Sequence, residues 1–516
     1  MRFIVTDKWL RVPPKSDFPV AILRRDNWND YGYKTMFSVT IWLSRAESIE
    51  LENVKVLERG QEPTATRFRQ NKFRKLGPQY CSLGQEPSYY ETLRTLKTEV
   101  WRSYLTAMRD YAFSAAVRSR FAGEDGIETS LLRFGGAERA LSDAPQILGL
   151  YSTREVAPPS SDFSYRMPDK GPVLNFRFAK NSPLPSRLSV VIGYNGSGKT
   201  RLLSKIAMLA HSDRTERAKS DFIKRNGSYS GIAPAFGGVI AVSYSAFDEF
   251  DLPGGGQLRG DSREADESIG VRSSGRNYTY CGLRRIGPEG RVEDSLKSIR
   301  ELEEEFHLAR ERAIAKRRRR TLQLVLETFA REPSFGLIGN LPGDDSSDGL
   351  WRAAFSRMST GHKVVLHIAI NLCAHLERRS IVLIDEPEMH LHPPLLAALL
   401  KAVGKALVAH DSYAIVATHS PVVLQEVLAR DVKVLRRAGD EVRVDPPAIE
   451  TFAENVSLLT RHVFNLDSSG TDFQHTIEEL AARLTVEEIE ELFGGQLSSQ
   501  ARSLIISHRR ALEVDQ

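Results

Sequence analysis

The chain has 516 residues, 71 Lys and Arg against 66 Asp and Glu, and a formal net charge of +5, so several domains with large cores are expected and the whole-chain charge gives no argument for a polyanion partner, which leaves only local patches. No run of about 18 apolar residues occurs, which excludes a conventional membrane-spanning helix. The start, Met1-Arg2-Phe3-Ile4-Val5-Thr6-Asp7-Lys8, is too short and too charged for a secretory signal, and the expected location is the cytoplasm, without a membrane partner.

In chain order, Phe37 to Leu43 alternates apolar and polar with period two and Ile49 to Leu57 follows after a polar turn, which predicts a β-hairpin. Tyr80-Cys81-Ser82-Leu83-Gly84-Gln85 contains a Ser-Leu-Gly-Gln similar to a transporter signature, but it stands upstream of any phosphate-binding motif and is read as a loop. Leu93, Leu96, Val100, Tyr104, Met108 and Tyr111 keep helical spacing, predicting one long amphipathic helix between Tyr89 and Val117. Pro158 to Pro172, rich in Pro, Ser and Asp, reads as a linker or surface crossing. Cys81, Cys281 and Cys373 are too far apart for metal-ligand spacing and read as reduced thiols in or beside the core.

Strands are expected over Val173 to Phe178 and Leu188 to Ile192, and the second runs into Gly193-Tyr194-Asn195-Gly196-Ser197-Gly198-Lys199-Thr200. This is G-x-x-x-x-G-K-T. Backbone N–H groups can curl around a di- or triphosphate only where side chains leave room, which the glycines provide. Lys199 would reach the β and γ phosphates and Thr200 would place a hydroxyl on Mg²⁺, while the helix from Arg201 to Leu209 aims its positive end at the anion. Gly193, Asn195, Gly196, Ser197, Gly198, Lys199 and Thr200 are therefore the candidate ATP-binding residues. Gly237 to Ser245 is a further buried strand, ending at Ala246-Phe247-Asp248-Glu249-Phe250. Where many ATPases of this shape carry a Gln, none occurs before Gln257, so that role is absent or falls to Ser245, Asp248 or Glu249.

Pro253 to Ser334 changes character: a Gly-, Ser- and charge-rich loop, then charged helical sequence from Glu293 to Glu327 expected to stand off the core as a helical hairpin or short coil. It holds the dense basic run Lys316-Arg317-Arg318-Arg319-Arg320, either a solvated face or a contact for a nucleic-acid backbone or a partner.

Met358-Ser359-Thr360-Gly361-His362-Lys363 then opens a helix, where a Ser-Thr-Gly turn offers a second anion site. Ser380 to Pro393 follows, four consecutive apolar residues delivering Asp385 and Glu386 at a strand's carboxyl end. Asp385 would hold Mg²⁺ through water and Glu386 would orient and polarise the attacking water. His390 and His392 lack a third ligand and are read as turn-packing residues. Tyr413 to Thr418 is another buried strand, ending in His419, which can hydrogen-bond a γ-phosphate.

Taken together, these motifs resemble an ABC-type ATPase of the SMC/RecF/OLD group, and D-E-P-E-x-H-L-H-P with A-T-H-S-P is similar to ATPases of bacterial anti-phage systems. The resemblance covers about Val173 to Val432. It implies an α/β fold, an ABC-type P-loop NTPase head, with ATP and Mg²⁺ as ligands. Lys199, Thr200, Asp385, Glu386 and His419 would act in one subunit, with Ser359 and Gly361 contributed to the ATP of an opposite subunit in a head-to-tail homodimer. The expected organisation is an N-terminal mixed α/β region (1–170), a first ATPase segment with the phosphate loop (171–252), a flexible and helical, coiled-coil-like insertion (253–335), a second ATPase segment with signature, acidic pair and His (336–448), and a small helical C-terminal region (449–516). Many OLD-type relatives carry a nuclease with a D-x-D set after the ATPase; here fewer than a hundred residues follow His419 and none forms D-x-D. The leading expectation is thus an ATPase sensor working with a separate nuclease effector, as in PtuA-like ATPases of Septu and retron systems or AriA-like ATPases of PARIS. The alternative is a RecF- or SMC-like repair ATPase that holds DNA itself.

Overall fold

A computed structural model describes residues 1–7, 18–133, 135–150, 162–179, 182–231, 233–234, 236–245, 250, 277–286, 292–315, 318–337, 339, 341–439, 441–464 and 472–514. The N-terminal alternation builds β1 (Arg2–Thr6), β2 (Val20–Arg25), β3 (Met36–Trp42), β4 (Ser48–Glu58), β5 (Lys72–Phe73) and β6 (Tyr80–Gly84), ordered β5-β1-β2-β3-β4-β6. The predicted hairpin is β3 and β4, paired antiparallel. The Ser-Leu-Gly-Gln stretch, expected as a loop, is instead the edge strand β6: all five of its residues are buried, so no alternation marked it. Helices α1 (Pro87–Arg94), α2 (Thr98–Met108), α3 (Ala115–Phe121) and α4 (Gly135–Ile147) follow. The single helix expected from Tyr89 to Val117 is therefore three. Thr95 to Lys97 break the first turn boundary, and Arg109 takes a left-handed φ of 51° that ends α2 over the buried carboxylate of Asp110. Tyr89, Tyr90, Leu93, Trp101, Tyr104 and Met108 share one core with the sheet, which is why the apolar spacing runs on across the breaks.

The second half contains β7 (Phe163–Arg166), β8 (Val173–Phe176), β9 (Leu188–Ile192), α5 (Lys199–His211), α6 (Arg214–Arg217), α7 (Ser220–Asn226), β10 (Ser228–Tyr229), β11 (Gly238–Ser243), β12 (Asn277–Gly282), β13 (Arg284–Ile286) and β14 (Val292–Leu296). Next come α8 (Ile299–Ile314), α9 (Arg319–Ala330), α10 (Pro333–Leu337), α11 (Asp348–Arg357), α12 (Thr360–His375), β15 (Ile381–Asp385), α13 (Pro393–Ala409), β16 (Tyr413–Thr418), α14 (Pro421–Leu424), β17 (Val432–Ala438) and β18 (Glu441–Asp445). Helices α15 (Val456–Phe464), α16 (Asp472–Arg483), α17 (Val486–Leu492) and α18 (Ser499–Val514) end the chain, and Thr485 with Glu488 forms a capping box at α17.

The large sheet runs β12-β11-β15-β16-β9-β17-β18, parallel throughout except for the β17–β18 pair. Its strands are continuous apolar runs because both faces are covered. On one face α5 and the small β10-β7-β8 sheet bury Val191, Val239, Leu383 and Ile415. On the other, α8, α9, α12 and α13 bury Val190, Ile240, Val382 and Val416. This is the expected α/β, ABC-type P-loop architecture.

Two features of 253–335 depart from expectation. Residues 277–282 are the edge strand β12 of the large sheet, in parallel register with β11. Helices α8 and α9 lie on the core instead of standing off it, because Phe306, Ala309, Ala313, Leu322, Val325 and Phe329 form an apolar stripe under the charged face. Two arginines tie the N-terminal sheet to the large one. Buried Arg139 donates to the carbonyls of Arg378 and, at 3.3 Å, Gly237, and pairs with Glu86 at 2.8 Å. Arg133 bridges Asp30 at 2.9 Å and Asp213 at 3.2 Å.

Candidate functional site

Parallel α/β sheets present their loops at the carboxyl ends of the strands, where helix N-termini converge. β9, β15 and β16 are adjacent there, so residues far apart in sequence meet. After Ile192 the chain turns through Gly193 to Gly198 into α5. Gly198 caps that helix at φ 92°, a left-handed conformation that a side chain would strain. At Gly193 a Cβ would lie 2.5 Å from the Leu435 carbonyl oxygen and 2.7 Å from Ser197 Oγ, so only glycine fits between β17 and the loop. Ser197 Oγ is buried and finds no hydrogen-bond partner among the described residues. The Lys199 ammonium bends over the loop, donating to the Gly193 carbonyl at 3.1 Å and the Tyr194 carbonyl at 3.3 Å, and lies 3.9 Å from Glu386 Oε1.

Thr200 Oγ1 donates to Asp385 Oδ2 at 2.7 Å. The two residues predicted as metal ligands, separated by most of the ATPase sequence, are thus in direct contact. A hydroxyl beside a carboxylate is the sparse oxygen set that suits Mg²⁺ retaining several waters, so the residues present fit that ion. Glu386 follows at φ 44°, a left-handed position uncommon outside glycine, and its N–H donates to the Ala417 carbonyl of β16 at 2.8 Å. That bond re-aims the side chain out of the strand end while Asp385 stays buried.

His419 Nδ1 lies 3.7 Å from Glu386 Oε1 and 3.1 Å from Glu388 Oε1. Glu388 was quoted in the motif but given no role by sequence reasoning. Its Oε1 accepts from Thr418 Oγ1 at 2.7 Å and from the His419 N–H at 2.8 Å, fastening the end of β16 to the turn after β15. The signal for it was the third acid of D-E-P-E; its partners, about 30 residues downstream, were invisible. Glu386 and His419 keep 24% and 46% of their side chains exposed, as groups that must meet a ligand require.

Ser359 caps α12 at an exposed position, its hydroxyl 2.6 Å from His362 Nδ1. His362 Nε2 in turn lies 2.8 Å from Ser334 Oγ, and burial holds the imidazole below its ordinary pKa. A Cβ on Gly361 would come within 2.9 Å of the His390 carbonyl, so this turn packs directly behind the acidic pair's loop. Ser359 is thus exposed at the start of α12 and Gly361 partly covered by the His390 turn. His390 takes φ 66° in that turn and His392 caps α13. Of the candidates for the missing Gln, Ser245 stands partly exposed just past β11, whereas Asp248 and Glu249 lie outside the described residues.

Part of the basic run is engaged within the chain. Arg318 donates to the Leu376 carbonyl at 3.0 Å and pairs with Glu377, and Arg319 pairs with Asp344. Those pairs tie α9 to its neighbours, Arg319 keeps 45% of its side chain exposed, Arg320 is exposed, and Lys316 and Arg317 lie outside the described residues.

The chain is 30% identical to protein ea59 of Escherichia phage lambda over 521 residues, 94% of this chain and 94% of that protein. Residues 260–425 match the family described as "AAA domain, putative AbiEii toxin, Type IV TA system", a span that includes Ser359, Asp385, Glu386 and His419. Similar solved structures include the SMC head bound to the C-winged helix domain of ScpA, at 12% identity over 56% of this chain and 97% of that chain with a TM-score of 0.27. The SMC head domain from Thermotoga maritima is 14% identical over 56% of this chain and 98% of that chain, with a TM-score of 0.24. An AAA-type ATPase domain is part of this chain, and nucleotide binding, typically with Mg²⁺, belongs to that class.

Proposed function

This chain belongs to the family of protein ea59 of Escherichia phage lambda, and from that premise we propose that it is an ATP-binding and ATP-hydrolysing regulatory subunit in the conflict between phage and bacterium. It acts in the cytoplasm with a separate effector, a nuclease, and its ATP-bound form closes as a homodimer or higher homo-oligomer. The observation that carries the ATPase reading is the 2.7 Å contact between Thr200 and Asp385, with Lys199, Glu386 and His419 gathered around it. Support for the conflict setting comes from the D-E-P-E-x-H-L-H-P and A-T-H-S-P sequences, from a phage-encoded relative, and from a family description that names a toxin. Among the described residues no helix is long and apolar enough to cross a membrane.

Mg²⁺, when bound, would supply positive charge that offsets the phosphates during transfer. Thr200 and Asp385 would hold it, and Lys199 would exchange its two loop carbonyls for phosphate oxygens. Glu386, exposed at the strand end, would orient the attacking water. His419, held by Glu388, would bond the γ-phosphate. Ser359 and Gly361, at the start of α12, would meet the ATP of the facing subunit.

The alternative of a repair ATPase holding DNA directly would draw on Lys316 to Arg320, where Arg318 and Arg319 are already engaged within the chain. The test is co-expression with the neighbouring open reading frames, followed by mass measurement of the purified complex for wild type and Glu386→Gln. A nuclease should co-purify, its assembly or activity should differ in the variant, and hydrolysis should fall by about 10²–10⁴-fold with ATP still bound. A chain that purifies alone, dimerises with ATP and retains DNA would move the assignment to the repair reading; undiminished hydrolysis in Glu386→Gln would remove that residue's role.

A further inference from the structure

A cavity of about 560 Å³ opens between β8, the residues leading into β9, and the start of β17, within the volume range of small-molecule sites. Its walls are mixed: Phe178 and Val444 are apolar, Arg177, Arg430 and Lys433 are cationic, and Asp162, Asp431 and Asp445 are acidic, Asp162 being engaged by the Phe178 N–H at 2.7 Å. Lys433 is the unusual member. Its residue is only 8% exposed, yet it lines the cavity. Its ammonium donates to Ser189 Oγ at 3.1 Å, and the Ser189 hydroxyl donates to the Asp431 carbonyl at 2.7 Å. No carboxylate of the described residues stands at ion-pairing distance from Lys433: Asp431, the adjacent acid, pairs with Arg430 at 3.7 Å. Burial accordingly lowers the Lys433 pKa to about 8.

A buried ammonium with one hydroxyl and the face of the Phe176 ring at 5.5 Å as its partners costs free energy that a directly bonded anion would recover. Arg430 and Asp431 offset each other, Arg177 adds positive charge at the exposed rim, and the apolar walls leave room for more than an ion. We propose that this cavity binds a small organic anion, a carboxylate or phosphate monoester with an apolar body, whose charged end meets Lys433. The site is distinct from the phosphate loop but mechanically close to it. Lys433 is in parallel register with Val191, two residues before Gly193, and Leu435 of the same strand touches that glycine.

The experiment is calorimetric titration of the full chain with phenyl phosphate and with benzoate, which share a ring and differ in the anion. It is run on wild type, Lys199→Ala, Lys433→Met and Arg177→Gln. At least one probe should bind wild type and Lys199→Ala alike. Lys433→Met should weaken that binding by about 10–100-fold, the worth of a charge-assisted hydrogen bond, and exposed Arg177→Gln by a few-fold. Retained ATP binding by Lys433→Met reports that the variant is folded. If neither probe binds at millimolar concentration the proposal fails. It fails equally if binding disappears in Lys199→Ala but survives in Lys433→Met, because the anion then sits on the phosphate loop. Should Lys433→Met not fold, unchanged affinity in Arg177→Gln overturns the proposal and weakened affinity upholds it.

Discussion

The two large sheets both carry charge, and they treat it in opposite ways. At the carboxyl end of the seven-stranded sheet Glu386 and His419 are partly exposed, 3.7 Å apart, and held so that a ligand can reach them. Beside the six-stranded sheet Asp30 and Lys55 lie fully buried at 2.7 Å, with Arg133 as the second cation, Ser130 Oγ at 3.1 Å and Trp28 Nε1 at 2.8 Å. Every lone pair of that carboxylate is occupied by the chain itself. A satisfied, sealed cluster specifies geometry, whereas charge left open toward solvent is available for chemistry.

Asp30→Ala gives the largest way to break this contrast. It strands the fully buried Lys55 without its counter-ion and leaves Arg133 only Asp213, and equilibrium unfolding should show a loss of about 3–5 kcal/mol. Glu386→Gln, with a ligand-facing carboxylate, should stay within about 0.5 kcal/mol of wild type in the same measurement. Equal losses in the two variants would erase the distinction.

Asp110 sharpens the comparison through pH. Its carboxylate accepts from Tyr90, Ala112 and Phe113, but burial dominates and raises its pKa to about 7. A raised folded pKa stabilises fully below the unfolded value and loses that contribution as pH rises through 7. Between pH 5 and pH 8 wild type should therefore lose about 2–3 kcal/mol relative to Asp110→Asn, measured as urea midpoints at the two pH values. Parallel pH profiles for the two proteins would refute this.

The smallest effect concerns Glu388, which acts on the open site through His419. Glu388→Gln should lower ATP turnover about tenfold with ATP affinity nearly unchanged, and combining it with His419→Ala should add little. Additive losses would give Glu388 an independent role.

The same contrast governs what was legible in the sequence. Phosphate chemistry demands glycines, a lysine and a hydroxyl at fixed spacing, and buried parallel strands demand apolar runs, so Gly193 to Thr200 and Ile381 to Glu386 could be read directly. The six-stranded sheet has no such demand on residue type; its β3–β4 alternation was readable, but β6, buried throughout, was not. Helix α8 was misplaced because its core stripe continues from Phe306 through the small residues Ala309 and Ala313 amid Glu and Arg, and the acid that holds His419 was missed because its partners come from another strand. Sequence periodicity sees one element at a time. Which elements share a core, and which guanidiniums are already taken, are decided by tertiary packing.

The place of β9 between β16 and β17 also has a consequence for biosynthesis. Both of its neighbours are encoded roughly 220 to 240 residues downstream, so at about 5–20 residues per second the phosphate-loop strand waits some tens of seconds after translation before either edge can pair. Throughout that interval Val190, Val191 and Ile192 present two open edges to the ribosome exit and its chaperones. A nascent chain stalled before residue 413 should consequently be the species most prone to aggregate, while one released after residue 438 can close the sheet around its nucleotide loop.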